Sequence, residues 1–142
     1  QCIRNKCEDM GNTNYYITPL HWAAENNDFA LVEMLLENGE SIEALNSIDE
    51  TVLQYAVRRR STQEEMIQFL IKKGAKVNAR QGRYQDTPLM LAARGGRPSI
   101  VKILLENGAD RSLKNSQGFT AVDHLQSLDF PQKEEIIRLL KQ

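Results

Sequence analysis

Residues 58–114 of this 142-residue chain hold 13 Lys/Arg against 5 Asp/Glu, and the side chains best suited to chemistry with an acidic partner lie among them. Arg58-Arg59-Arg60 are consecutive, Arg80, Arg83 and Arg94 follow, and Lys114 closes the segment. A guanidinium offers a planar fork of donors that can grip a carboxylate or a phosphate through two parallel hydrogen bonds. The flanks have the opposite character. Residues 1–57 hold 2 Lys/Arg and 10 Asp/Glu, a balance of −8, and residues 115–142 hold 3 and 4. The net charge of −1 conceals this division. Such segregation bears on partners and association, not on fold. The Arg triplet has a second reading, as the end of a helix where cations complement the helix dipole. Both readings stay open at this stage.

Other chemistry is poorly provided for. Cys2 and Cys7 are the two cysteines, and His21 and His124 the two histidines. A structural metal site takes four well-placed ligands, so no metal is expected and the thiols read as ordinary ones. Two cysteines cannot staple a domain of this size, which suits a reducing compartment and an intracellular, cytoplasmic or nuclear location. Gly95-Gly96 reads as a turn between helices and not as a phosphate cradle. No Ser–His–Asp set is expected, because His21 falls in a repeated motif and His124 falls near the closing helix. No carboxylate pair has a reason for a raised pKa. The chain is therefore not expected to be an enzyme or to need a cofactor. No apolar run approaches the roughly 18 residues that cross a bilayer. The segment from Gln1 to Cys7 has no apolar stretch of the signal-peptide kind. The chain opens on Gln1 and not on Met, as a piece of a longer protein would.

The elements that must position these residues recur in phase. Thr18-Pro19-Leu20-His21-Trp22-Ala23-Ala24, Thr51-Val52-Leu53-Gln54-Tyr55-Ala56-Val57, Thr87-Pro88-Leu89-Met90-Leu91-Ala92-Ala93 and Thr120-Ala121-Val122-Asp123-His124-Leu125 are spaced by 33, 36 and 33 residues. Leu35-Leu36-Glu37-Asn38-Gly39, Leu70-Ile71-Lys72-Lys73-Gly74 and Leu104-Leu105-Glu106-Asn107-Gly108 follow the first three. Thr before Pro supplies an N-cap, and Pro at the first helical position loses no needed hydrogen bond. Small Ala pairs admit a neighbouring helix. Asn26-Asn27-Asp28 and Gly95-Gly96-Arg97-Pro98 turn the chain, and a second amphipathic helix ends at Gly39, Gly74 or Gly108. The second repeat has two extra residues between its helices, and Ser61-Thr62-Gln63-Glu64-Glu65 is expected to form a capping box there. One helix pair cannot bury its apolar face alone, so neighbours must stack. Residues 130–142 read as a closing helix with a polar outer face.

These motifs resemble the ankyrin repeat, over about residues 13–142. Val52, Asp123 and the entry Asn14-Tyr15-Tyr16-Ile17 depart from its usual pattern without disturbing the period. The resemblance implies an all-α ankyrin-repeat solenoid of about four helix-turn-helix repeats with short β-hairpin fingers. The repeats would span 13–45, 46–81, 82–114 and a C-terminal capping repeat at 115–142. Residues 1–12 would be an N-terminal extension or the tail of a preceding repeat.

The resemblance also implies function. Fingers and inner helices of such a stack form a concave face that grips another protein. The positions on that face give a candidate partner-binding set of Tyr15, Trp22, Glu25, Arg58, Arg59, Arg80, Arg83, Tyr84, Arg94, Lys114 and Phe119. Arg, Tyr and Trp dominate binding hot spots. With helices packed roughly 10 Å apart, four repeats would make a groove on the order of 40 Å. The expected partner is a protein with an acidic segment, bound by a chain that is itself a monomer. The competing reading is a phosphorylated ligand or nucleic acid on the Arg stripe, against which the acidic first repeats argue. A third is a substrate-recruiting domain of a multidomain enzyme such as a ubiquitin ligase.

Overall fold

The computed structural model describes the backbone of residues 2–3 and 6–8 and the whole of residues 16–142. Tyr15 and the side chains of Cys2 and Cys7 lie outside the described residues. The described residues form eight helices and three short strands, in two compact units, residues 1–76 and 77–142. The eight helices fall into four successive pairs, the all-α arrangement that the repeats predict. Each expected repeat contains one helix pair.

The first unit holds β1 (Cys2–Ile3), β2 (Lys6–Glu8) and β3 (Tyr16–Ile17), which make an antiparallel sheet in that order, with Cys7 opposite Ile17. Its helices are α1 (Pro19–Glu25), α2 (Phe29–Glu37), α3 (Val52–Arg58) and α4 (Glu64–Lys72). Extended Thr18 accepts the His21 N–H through its side chain, and Pro19 opens α1. Asn27, at φ +55°, reverses the chain, and Asp28 caps α2 by accepting from Leu31 N at 3.0 Å. Thr51 and Gln54 form a reciprocal capping box on α3. Leu20, Ala23, Ala24, Val32, Leu53 and Ile67 are fully or almost fully buried between these helices.

The capping box expected at Ser61–Glu65 does not form. The N-cap of α4 is Gln63, which makes no side-chain capping bond. A bond from another repeat takes its place: Gln63 N donates to Asn27 Oδ1 at 2.8 Å, and Asn27 Nδ2 donates to the Ser61 carbonyl at 2.9 Å. The turn of the first helix pair thus pins the insertion and moves the helix start past Ser61 and Thr62.

The second unit holds α5 (Pro88–Arg94), α6 (Pro98–Glu106), α7 (Ala121–Leu125) and α8 (Lys133–Leu140). Thr87 caps α5, and a Thr120–Asp123 capping box starts α7. α5 packs on α7 and α6 on α8 around Leu89, Ala92, Ile100, Leu104, Leu125 and Ile136. Gly96 turns at φ +70°, where a Cβ would come within 3.4 Å of the Phe130 ring. The fingers at 46–50 and 115–119 are turns, not ladders. Each closes on two backbone bonds, Asn46 N to Glu50 O at 3.1 Å with Asp49 N to Asn46 O at 3.0 Å, and Asn115 N to Phe119 O with Gly118 N to Asn115 O, both at 3.0 Å.

Among the described residues no helix is long and apolar enough to cross a membrane.

Candidate functional site

In the first unit the candidate residues meet around a buried tyrosine. Tyr55 of α3 is enclosed, and His21 of α1 meets its ring edge-on at 5.4 Å. The Arg58 and Arg59 guanidinium carbons lie 5.5 and 5.4 Å from the same ring centre. Tyr55 Oη donates to Glu25 Oε2 at 2.6 Å, and Arg59 donates to Glu25 Oε1 through Nε at 3.0 Å and a terminal nitrogen at 2.6 Å. Arg58 grips Glu50 with two bonds of 2.8 Å, one to each carboxylate oxygen. Glu50 is nearly buried and also accepts from Asn46 Nδ2 at 3.0 Å. Asn46 Oδ1 in turn accepts the Ile48 and Glu50 N–H groups at 3.2 and 2.8 Å, which holds the finger in shape with Asp49 at φ +60°.

His21 ties the finger to α1. Its Nε2 lies 2.9 Å from the Glu50 carbonyl, which can only accept, so the ring proton is on Nε2. Nδ1 then accepts from the Thr18 hydroxyl at 2.7 Å. Burial disfavours the cation and lowers the His21 pKa to about 4, against smaller opposing effects of the Glu50 carbonyl and charge.

The second unit repeats the finger device with different neighbours. Asn115 Oδ1 accepts from Gln117 N and Phe119 N, both at 3.0 Å. Asn115 Nδ2 lies 2.9 Å from Asp86 Oδ1 and 2.8 Å from His124 Nε2. Arg94 pairs with the other Asp86 oxygen at 3.0 Å. His124 therefore sits on α7 against the finger, its ring edge-on to Phe119 at 5.5 Å.

Beyond that network lies a surface of different character. Tyr84 is 53% exposed and Phe119 44% exposed. Arg83 lies with its guanidinium carbon 5.6 Å from the Tyr84 ring centre. Arg80 donates to the Lys114 carbonyl at 3.0 Å, and Ser116 N donates to the Tyr84 carbonyl at 2.9 Å, so the finger at 82–86, which precedes Thr87 as 46–50 precedes Thr51, lies beside that at 115–119. Arg80, Arg83 and Lys114 are exposed. No acidic residue occurs in 76–85 or 111–122. Asp86, next along, is buried and committed to Arg94 and Asn115.

The structure thus sorts the candidate set. Glu25, Arg58 and Arg59 are brought together in the first unit, on internal pairs, with Trp22 nearby on α1 and 38% exposed. Arg94 is held by Asp86. Arg80, Arg83, Tyr84, Lys114 and Phe119 gather on the fingers of the second unit. Sequence reasoning missed the organising roles of Asn46, Asn115 and Tyr55. A signal existed: Asn stands five residues before Thr at Asn46/Thr51 and Asn115/Thr120, and acid precedes Arg by eight at Glu50/Arg58 and Asp86/Arg94. Among the described residues no three ligating side chains converge on a metal position.

The repeated caps, Ala-lined inner helices and asparagine-closed fingers define a class of stacked helix pairs, and comparison with known proteins places the chain within it. A family model described as ankyrin repeats in three copies matches residues 2–81, and one described as ankyrin repeats in many copies matches residues 70–125. The chain belongs to the ankyrin-repeat family, whose repeats are generally protein–protein interaction modules and non-catalytic.

Its relatives are diverse. Ankyrin repeat and SOCS box protein 11 of Danio rerio is 39% identical over 106 residues, 75% of this chain and 35% of that protein. Palmitoyltransferase AKR1 of Lachancea kluyveri is 34% identical over 105 residues, 72% of this chain and 14% of that protein. E3 ubiquitin-protein ligase Ufd4 of Drosophila melanogaster is 35% identical over 94 residues, 66% of this chain and 3% of that protein. The chain therefore spans about a third or less of these relatives.

Proposed function

We propose that this chain is a non-enzymatic binding module that holds an acidic segment of another protein on the fingers of its second unit, with Arg83, Lys114, Tyr84 and Phe119 as the principal contacts. The observation that carries this reading is the contrast between spent and available cations. Arg58, Arg59 and Arg94 each hold a carboxylate of their own unit. Arg83 and Lys114 stand exposed in stretches, 76–85 and 111–122, that contain no acidic residue, with the exposed rings of Tyr84 and Phe119 in the same stretches. The acids nearest to this surface are already engaged, Asp86 by Arg94 and Asn115, and Asp123 by the Thr120 N–H with Lys114 in electrostatic reach, so Arg83 is the cation most open to an incoming carboxylate. Tyr and Phe supply contact area at little entropic cost. The relatives add support of a different kind. Proteins printed as a palmitoyltransferase, a ubiquitin ligase and a SOCS-box protein share this segment. What they share is better explained by recruitment than by any one of those chemistries. A recruiting domain within a larger protein is one setting for the same module, which is by itself a monomer.

The test is binding of a fluorescent Asp/Glu-rich peptide followed by anisotropy. Arg83→Glu with Lys114→Glu is expected to weaken binding at least about tenfold, equal to roughly 1.4 kcal/mol. Arg58→Met is expected to lower stability and leave affinity in place. Unchanged affinity in the double variant overturns the proposal. Tight binding of an oligonucleotide that falls steeply with salt would favour phosphate as the ligand instead.

A further inference from the structure

The first helix pair exposes apolar side chains at positions that the later pairs bury. Four residues after the capping threonine, Tyr55 is 1% and Leu91 8% exposed, but Trp22 is 38% exposed. Five residues before the helix-ending glycine, Ile103 is 6% exposed and Phe69 half-buried, but Met34 is 50% exposed. Met66, Leu70, Ile100 and Leu104 are fully buried, while their counterparts Leu31 and Leu35 are only half-buried.

Within the first unit the positions four after the threonine and five before the glycine face the pair that comes before. Tyr55 meets His21 edge-on and donates to Glu25, both on α1. Phe69 meets Phe29 of α2 edge-on at 5.2 Å, and Lys73 pairs with Glu33 of α2. Each contact points from the second pair back to the first. The corresponding positions of the first pair are those of Trp22 and Met34.

We infer that this side of α1 and α2 is the docking face for one more helix pair of the same kind, supplied by the polypeptide ahead of residue 1. Three observations support it. The face continues, one repeat further, the interface that α3 and α4 already make with α1 and α2. A terminal repeat of a stack needs a polar outer face, and α8 has one, burying Ile136 and Leu140 and exposing Glu134, Glu135 and Arg138. Helix α2 does not have that character: it fully buries only Val32 and leaves Met34 in solvent. The three-copy family model matches residues 2–81, where the described helices make two pairs, and its match starts well ahead of Thr18.

Trp22 is the one tryptophan in the 142 residues and reports on the face. The product of the complete reading frame is compared with residues 1–142 by acrylamide quenching, any added tryptophan being replaced by phenylalanine. Quenching of Trp22 is expected to fall roughly threefold or more in the longer protein, as the ring becomes buried. Met34→Glu is expected to restore the quenching there, and to leave the urea midpoint of residues 1–142 unchanged. Three results overturn the inference: a reading frame that encodes no helix pair ahead of residue 1, equal quenching in both proteins, or a dimer of residues 1–142 that shields Trp22. The last would assign the face to a second copy. The acidic-peptide titration reads the other unit, so failure of one proposal leaves the other standing.

Discussion

Replacing His21 with glutamine tests the link between burial and pH in a substitution the chain already contains, because Gln54 occupies the same place one repeat later. At neutral pH the His21 ring joins Thr18 to the Glu50 carbonyl, with bonds of 2.7 and 2.9 Å. Glutamine can keep the cap, as Gln54 does by accepting from Thr51 N at 2.9 Å. Its shorter side chain loses the bridge to the finger, a net cost of about 1 kcal/mol. Acid changes the balance. The folded-state pKa of about 4 lies below the unfolded value of 6.5, so the unfolded chain binds more protons between them. The stability held by neutral His21 is therefore full above pH 6.5 and is lost as pH falls toward 4. At 1.36 kcal/mol per pKa unit, the loss is about 2 kcal/mol at pH 5 and about 3 kcal/mol at pH 4. His21→Gln has no such loss. Urea unfolding of both proteins from pH 7.5 to pH 4 cancels the shared carboxylate titrations. The parent should be more stable at neutral pH and the variant below a crossing near about pH 6. Parallel curves would refute the reasoning, since His21 would then take up its proton equally in both states.

Two other substitutions examine the elements that carry the site. Asn115→Ala removes the acceptor of two finger N–H groups and a donor to buried Asp86, so urea unfolding should show a loss of about 2–3 kcal/mol. Amide exchange at Phe119 should accelerate with it, and a loss below about 0.5 kcal/mol would mean that the backbone turn alone holds the finger. Gln63→Asp supplies the missing cap of α4 and a charge at its positive end, and should raise stability by about 0.5–1 kcal/mol. A fall instead would show that the Asn27 bond leaves no room for a second acceptor at that helix start.

The helix pairs were legible in the sequence because their determinants are local and repeated. Thr at the cap, Pro at the first turn, Ala where helices touch and Gly at φ near +90° act over four or five residues, wherever the chain then travels. The 33-residue spacing carried the rest, since stacked repeats bury the same positions each time. The cap at α4 shows where this reasoning stops. Ser61 and Thr62 have suitable side chains, but the decisive partner, Asn27, is 36 residues from Gln63.

The same limit governs the binding surface. Composition marked residues 58–114 as basic, and the resemblance placed Arg58, Arg59, Arg83 and Arg94 on one face. Neither could say which cations were already neutralised. That depends on side chains brought within about 3 Å from elsewhere in the chain, such as Glu25 on Arg59, 34 residues away. Sequence by itself determined the fold, the period and the charge of the middle repeats, because those are sums of local preference and composition. Tertiary structure alone decided that Arg58 and Arg94 hold the finger acids Glu50 and Asp86, that Arg59 holds Glu25 of α1, that Arg83 stands exposed over Tyr84, and that Trp22 and Met34 face outward. Pairing and burial are properties of distance in space, which spacing along a chain does not specify.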